Sequence, residues 1–362
     1  MLLAALNRPV RLCDAADPLR KSDMDFVAVG YPSPLAKWAF LFLEQALRRI
    51  VPNLSVVRLD RFDTLAEQPE HAGKRLVLSM FPNPAFAEAC FRSGRPCLVF
   101  ADDLVESVRH TQATHRISPY AALRPISAGL VLARPFAQTD LGKVIRRDIR
   151  GTPADILRIF LEHFAIDISS DIAEDICQGI GFEDVSLSAK LRQDTRDLPE
   201  PSDADRDVIA QVLGGLHENL GQPTPGEVTW PRQCFLLGDQ PNSAVPVAID
   251  LTGRARIIFY GPYFHLPRGY WNARVLIGFS RDIRGMPFSI EAHSTELLGK
   301  ARVFAELGGI FEFEFAARVA KPHEPIEIRI MSEQGAIEGH MGLISVGFRD
   351  WRPLSDDPAS TA

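Results

Sequence analysis

Phe26-Val27-Ala28-Val29-Gly30-Tyr31-Pro32-Ser33-Pro34-Leu35-Ala36-Lys37 is an apolar run that stops at a glycine, crosses a proline-rich turn and enters a second apolar stretch. Phe26 to Gly30 reads as a buried strand and Leu35 to Ile50 as a helix. A strand, a tight turn and a helix start are the supports an anion needs, because the first amides of a helix have no partner inside it and point outward. A working nucleotide loop also combines several glycines with a Lys or Arg and a hydroxyl. This loop has one Gly, one Ser and two prolines that remove amide donors. It has the outline of a phosphate site with part of the chemistry missing.

The alternation continues outward from there. Leu54 to Leu59 and Arg75 to Ser79 read as strands, Pro84 to Ser93 as a short helix, and Pro96 to Phe100 as a further strand. Short apolar strands separated by helices predict an α/β unit, a parallel sheet with flanking helices on both faces. Polar or turn residues follow each run, as in Ser79-Met80-Phe81-Pro82 and Ala101-Asp102-Asp103, and in such a sheet the carboxyl ends form the ligand rim. Thr152 to Gly179 reads as helical: Thr152-Pro153 suits an N-cap and first position, and Ile156, Ile159, Phe160 and Phe164 recur at helical spacing. Asp194 to Asp207 is polar and reads as a linker, with a helix from Asp203 to Leu220.

The character changes after Pro223. Nine short strand-like runs follow between Glu227 and Phe348, with turn signals between them and no long helical pattern. Phe311-Glu312-Phe313-Glu314-Phe315 alternates strictly, placing three aromatics on one face and two carboxylates on the other. This predicts an antiparallel β-sandwich, jelly-roll-like, over 223–362, with the α/β unit over 1–222. A chain of 362 residues also suits two domains, since single cores stop growing near roughly 250–300 residues.

Composition narrows the function classes. Hydrophobic residues make up 46% and charged residues 24%, an ordinary globular balance, and the net charge of -6 gives nucleic acid no general attraction. Cys13, Cys90, Cys97, Cys177 and Cys234 form no C-x-x-C pair, which suits reduced thiols and a cytoplasmic setting. Met1 to Leu6 is too short for a signal peptide before Arg8 and Arg11 interrupt it, and the apolar run Trp38 to Leu43 is too short for a membrane span. The histidines show no H-E-x-x-H or H-x-H spacing, Glu338-Gly339-His340 is a poor ligand set, and no metal site is expected. There is no Gly-x-Ser-x-Gly elbow.

Three segments, in order, resemble the sulfotransferase family, a P-loop-related α/β fold. Val29 to Trp38 is similar to its opening strand and 5′-phosphosulfate loop, Tyr-Pro-Lys-Ser-Gly-Thr-Thr-Trp. Cys97 to Arg109 is similar to its second signature, a strand, Arg-Asp-Pro-Arg-Asp and a helix bearing Ser; Asp148 to Ile168 is similar to its late acidic turn and helix. The resemblance spans roughly Asp25 to Lys190. It implies a nucleotide site formed by Ser33, Asp102 and Arg109, with Lys37 displaced into the role of the phosphate-loop lysine. His110, with His115, lies nearest the second signature as a candidate proton acceptor. The departures are as informative: Pro34 replaces the start of Gly-Thr-Thr, Ala101 replaces the arginine for the 3′-phosphate, and Arg109 stands at the serine. Asp102-Asp103 also suits either a divalent cation beside a nucleotide-sugar or a solvated strand-end turn. No particular cofactor follows.

Tyr260-Gly261-Pro262-Tyr263-Phe264-His265-Leu266-Pro267-Arg268-Gly269-Tyr270-Trp271 is the densest feature of the second half. Val245 to Trp351 resembles the carbohydrate-associated β-sandwich modules of bacterial glycan-building enzymes. That resemblance implies glycan contact through Tyr263, His265, Arg268 and Trp271, and the aromatics of this block serve equally well as sandwich core. The expectation is a sulfotransferase-like protein of bacterial glycan or cell-surface polysaccharide biosynthesis with a degenerate nucleotide site, partnered by a carbohydrate or a glycan-biosynthesis protein. A non-catalytic carbohydrate-binding or scaffold protein and an active glycosyltransferase stand as alternatives.

Overall fold

The computed structural model of the chain describes residues 24–59, 73–182, 191, 200–240 and 242–354. Cys13, the N-terminal segment and residues 194–199 of the expected linker lie outside the described residues.

The first half is the expected parallel sheet. β1 (Met24–Gly30), β2 (Ser55–Arg58), β3 (Arg75–Ser79), β4 (Cys97–Ala101) and β5 (Gly142–Arg146) take the order β2-β3-β1-β4-β5. Every pairing is parallel, with β1 between β3 and β4. α1 (Pro34–Ile50) starts where the sequence places it, because Ser33 is extended and its hydroxyl caps the helix while Pro34 fills a position that needs no amide. Its apolar face, with Trp38, Phe42, Leu43 and Leu47, packs on one side of the sheet with α5 (Pro153–His163) and α6 (Ser170–Gly179). The stretch 152–179, read as helices, forms these two. On the other side lie α2 (Pro84–Arg92), α3 (Leu104–His115) and α4 (Pro119–Ala137).

α4 and β5 were not expected from the sequence. Pro125 and Pro135 read as helix breakers, yet α4 runs through both with thirteen residues buried. Apolar burial outweighs the lost backbone bonds. Gly129 lets α4 lie against the turn after β1, since a Cβ there would sit 2.5 Å from the Tyr31 Cβ.

α7 (Asp203–Ile209), capped by Ser202, passes through a π-helical turn (Ala210–Gly214) into α8 (Gly215–Glu218). β6 (Val228–Pro231), β7 (Leu236–Leu237), β8 (Ile249–Asp250) and β9 (Ile257–Phe264) then lead into β10 (Gly269–Phe279), β11 (Met286–His293), β12 (Leu297–Ala305), β13 (Gly309–Val319), β14 (Ile326–Ser332) and β15 (His340–Arg352). Two antiparallel sheets result: β13-β10-β15-β6 with β8 on β15, and β12-β11-β14-β9-β7. Along β13, Phe315, Ala317 and Val319 are buried while Glu312, Glu314 and Ala316 are exposed, as the alternation requires. One apolar core runs from β1, α2 and α4 through Val212, Leu216 and Leu220 to Trp230 and the sandwich interior. Among the described residues no helix is long and apolar enough to cross a membrane.

Candidate functional site

The carboxyl ends of β1, β4 and β5 meet at the start of α1, and Asp102 lies at their centre. Its side chain is 1% exposed. One carboxylate oxygen accepts the Leu35 amide of α1 at 2.8 Å, and the other accepts the Asp103 amide at 2.8 Å. Arg147, just past β5, donates from Nε at 2.5 Å and from Nη2 at 3.3 Å. The Tyr31 hydroxyl donates to the Asp102 carbonyl at 2.6 Å, and His217 of α8 hydrogen-bonds the same backbone. Groups from the β1–α1 turn, the adjoining residue, the end of β5 and α8 converge on one residue.

The first turn of α1 is therefore satisfied from within. Pro34 has no amide, Leu35 donates to Asp102, Ala36 donates to the Ser33 hydroxyl at 3.1 Å, and Lys37 donates from its backbone to the Ser33 carbonyl. A phosphate at a helix start uses these same outward amides and a nearby cation. Here a carboxylate has the position and Arg147 is the cation. Burial, and then the Asp102 charge, raise the Tyr31 hydroxyl well above its ordinary range, so it remains a donor. Burial and Arg146, whose Nη1 lies 3.4 Å from the ring, hold His217 below the usual imidazole range.

The remaining residues expected at this site are placed around that plug. Ser33 is fully buried as the cap. Arg109, 6% exposed, is engaged by Glu106 at 3.1 Å and Glu200 at 2.7 Å. His110 is buried on α3, His115 is exposed at its end, and Lys37 is exposed on the first turn of α1. Arg146, Arg147 and His217 escaped the sequence reading. The only signal for the arginines was their place after the apolar pair Val144-Ile145, and β5 itself went unseen.

In the sandwich, Trp271 corrects the expectation of sugar contact. It is 2% exposed, its indole N–H donates to the Pro267 carbonyl at 3.0 Å, and its ring belongs to the core beside Phe348. Tyr263 is half-buried at the junction between the two halves. The Arg124 guanidinium of α4 covers its ring at 5.3 Å, and its hydroxyl donates to Glu327 at 3.2 Å. His265 is tucked beside α4, its amide donating to the Ser127 hydroxyl, and burial pushes its imidazole down to about 4. Arg268 is exposed.

Two hollows remain. A shallow trough of about 410 Å³ on the open face of the β10 sheet carries exposed Tyr270 beside Asn272, Glu314, Asp350 and Arg352. A deeper cleft of about 520 Å³ lies between α2 and α4 on one side and Pro267, Arg268, Lys321, Pro322 and Trp351 on the other. Among the described residues no cluster of three or more His, Cys, Asp or Glu side chains has the arrangement to hold a metal.

No family model matches the chain and no curated protein matches it. Among solved structures, the first half is similar to a mouse sulfotransferase in complex with PAP, at 11% identity and a TM-score of 0.34. That match covers 43% of this chain and 63% of the sulfotransferase, so the chain spans less than two thirds of that protein. The second half is similar to the C-terminal CBM6 of a marine laminarinase from Zobellia galactanivorans, at 12% identity and a TM-score of 0.24, covering 34% of this chain and 98% of that one. It is also similar to a carbohydrate-binding module, CBM36, in complex with calcium and xylotriose, at 9% identity and a TM-score of 0.23, covering 34% of this chain and 99% of that one.

Proposed function

We propose that this chain is a glycan-recognising protein of bacterial glycan or cell-surface polysaccharide biosynthesis, whose sulfotransferase-like half is a scaffold and transfers no sulfuryl group. The observation that carries the reading is the Asp102 carboxylate at the start of α1, with every nearby helix amide already bonded. Sulfuryl transfer needs preorganised donors around the moving group, and losing one such donor costs roughly 3–4 kcal/mol in a comparable oxyanion site. Asp102, Asp103 and Glu106 would in addition repel a phosphate brought to the same place. Glycan recognition is supported by the trough, where an exposed aromatic face adjoins amide, carboxylate and guanidinium groups suited to hydroxyls.

Calorimetry tests the first element. PAP and the sulfonate-donor nucleotide are expected to give no binding heat with the full chain, while a glycan array gives a signal. Micromolar binding of either nucleotide, with turnover of the donor, would sink the reading.

A further inference from the structure

We propose that the trough at the Tyr270 end of the open β10 face takes an acidic pyranose, a uronate or a sulfated sugar, with its anionic group held by Arg318 and Arg352. This rests on the glycan reading and names the class of sugar.

Strand pairing sets up the site. Tyr270 on β10 lies opposite Arg318 on β13 and Arg352 on β15, so one row across three strands reads Arg, Tyr, Arg. Residues directly opposite in an antiparallel pair share a face, with Cβ atoms about 5 Å apart. All three side chains are exposed, and the guanidiniums stand on either side of the phenol ring. Among the described residues the side chains of Arg318 and Arg352 form no ion pair, hydrogen bond or ring contact. The other aromatics near the surface differ. Arg124 covers Tyr263 at 5.3 Å, and Arg302 covers the exposed Phe304 at 5.1 Å. Tyr270 is 44% exposed and has no cation over its ring among the described residues.

The neighbouring rows decide where the charge of a ligand goes. Asn272 lies opposite Ala316 and Arg349, and Arg274 lies opposite Glu314. The carboxylates here already have partners. Glu314 accepts from Asn272 at 3.1 Å and from Arg349, Asp350 lies 3.5 Å from Arg349, and Glu312 pairs with Arg274. Two like charges flanking one ring gain from an anion placed between them, whereas Glu314 and Asp350 repel an anion from the Asn272 row. Sugar hydroxyls suit that row, because a carboxylate oxygen accepts more than one hydrogen bond. A pyranose packed on the Tyr270 ring thus turns its carboxylate or sulfate toward the two guanidinium forks and its hydroxyls toward Glu314 and Asp350. The trough, at about 410 Å³, falls within the roughly 300–1,000 Å³ of small-ligand sites.

Calorimetry on the full chain tests this with two matched pairs of probes: trigalacturonate with its methyl ester, and a κ-carrageenan tetrasaccharide with its desulfated form. At least one charged probe should bind about ten-fold more tightly than its neutral partner, since each exposed charge pair contributes only a few-fold. The pair that shows the preference separates carboxylate from sulfate recognition. Arg318→Gln and Arg352→Gln should each cut the preference about three-fold and together erase it. Arg254→Gln removes the same charge from the loop that meets Ala336, before the opposite end of β15, and should leave the preference unchanged. Tyr270→Ala should weaken charged and neutral probes alike. Equal affinity within both pairs, no binding of either charged probe, a preference that survives the double variant, or binding untouched in Tyr270→Ala each overturns the acidic-sugar assignment. A glycan-array signal in any of those cases leaves glycan recognition standing. A blank array together with four silent probes overturns both.

Discussion

Asp102 does at one position what a bound anion does elsewhere, and its neighbours show how much depends on it. Asparagine would keep its size but put an amide N–H where either the Leu35 amide or Arg147 now donates. Leaving a buried charge without its partner costs about 3–5 kcal/mol, so Asp102→Asn is expected to lose about 3 kcal/mol in urea unfolding. Lys37→Ala, on the exposed side of the same helix, should stay within about 0.5 kcal/mol. If both variants unfold alike, the convergence on Asp102 has no energetic weight. Part of this site was legible beforehand. Ser33-Pro34 announces a capped helix start, and the lack of Gly-Thr-Thr announces missing donors. The aim of Asp102 was not legible, because it depends on β4 pairing directly with β1 across 70 residues of chain.

At the level of strands and helices, period decided what was visible. The sandwich strands declared themselves by alternation, and α1 and α5 by their apolar stripes. α4 stayed hidden because its two prolines conflict with a helix while burial on nearly all sides erases any stripe. β5 stayed hidden because only Ile145 in it is fully buried. On the outer face of the second sheet, β11 and β12 are joined by charge. Lys300 lies 2.6 Å and His293 2.8 Å from the Glu291 carboxylate, with the Ser289 hydroxyl adding a bond. Partial burial raises the Glu291 carboxyl, but those hydrogen bonds more than reverse this and bring it down to about 2. A carboxylate lowered on folding contributes its stability above its unfolded value near 4.5, and loses it as pH falls toward about 2. Glu291→Gln should therefore lower the melting temperature at pH 6 and narrow the difference between pH 6 and pH 3. An unchanged difference would mean that the link between β11 and β12 is not set by this carboxylate.

Across the whole molecule, the two halves share a core and also a junction that should respond to acid. His265 is half-buried where the sandwich meets α4, and desolvation holds its imidazole near 4. A histidine lowered on folding favours the native state above its unfolded value of about 6.5, and that contribution is lost as pH falls toward about 4. Hydrogen exchange in α4 and residues 264–269 should accelerate over that interval, and His265→Gln should remove the acceleration. Protection that stays constant from pH 7 to pH 4 would refute it. No single segment of sequence announces this junction or the cleft beside it, since Leu132 and Trp351 lie on opposite walls and more than two hundred residues apart. The loop at α1 has a further consequence at this scale. A protein that receives a free anion at such a loop has a stability that rises and falls with the supply of that anion, by mass action. Asp102 is a ligand tethered by the backbone: it cannot be diluted, competed for at low dose or washed away. The occupied state of the loop is therefore inherited with the chain, independent of what the surrounding solution contains.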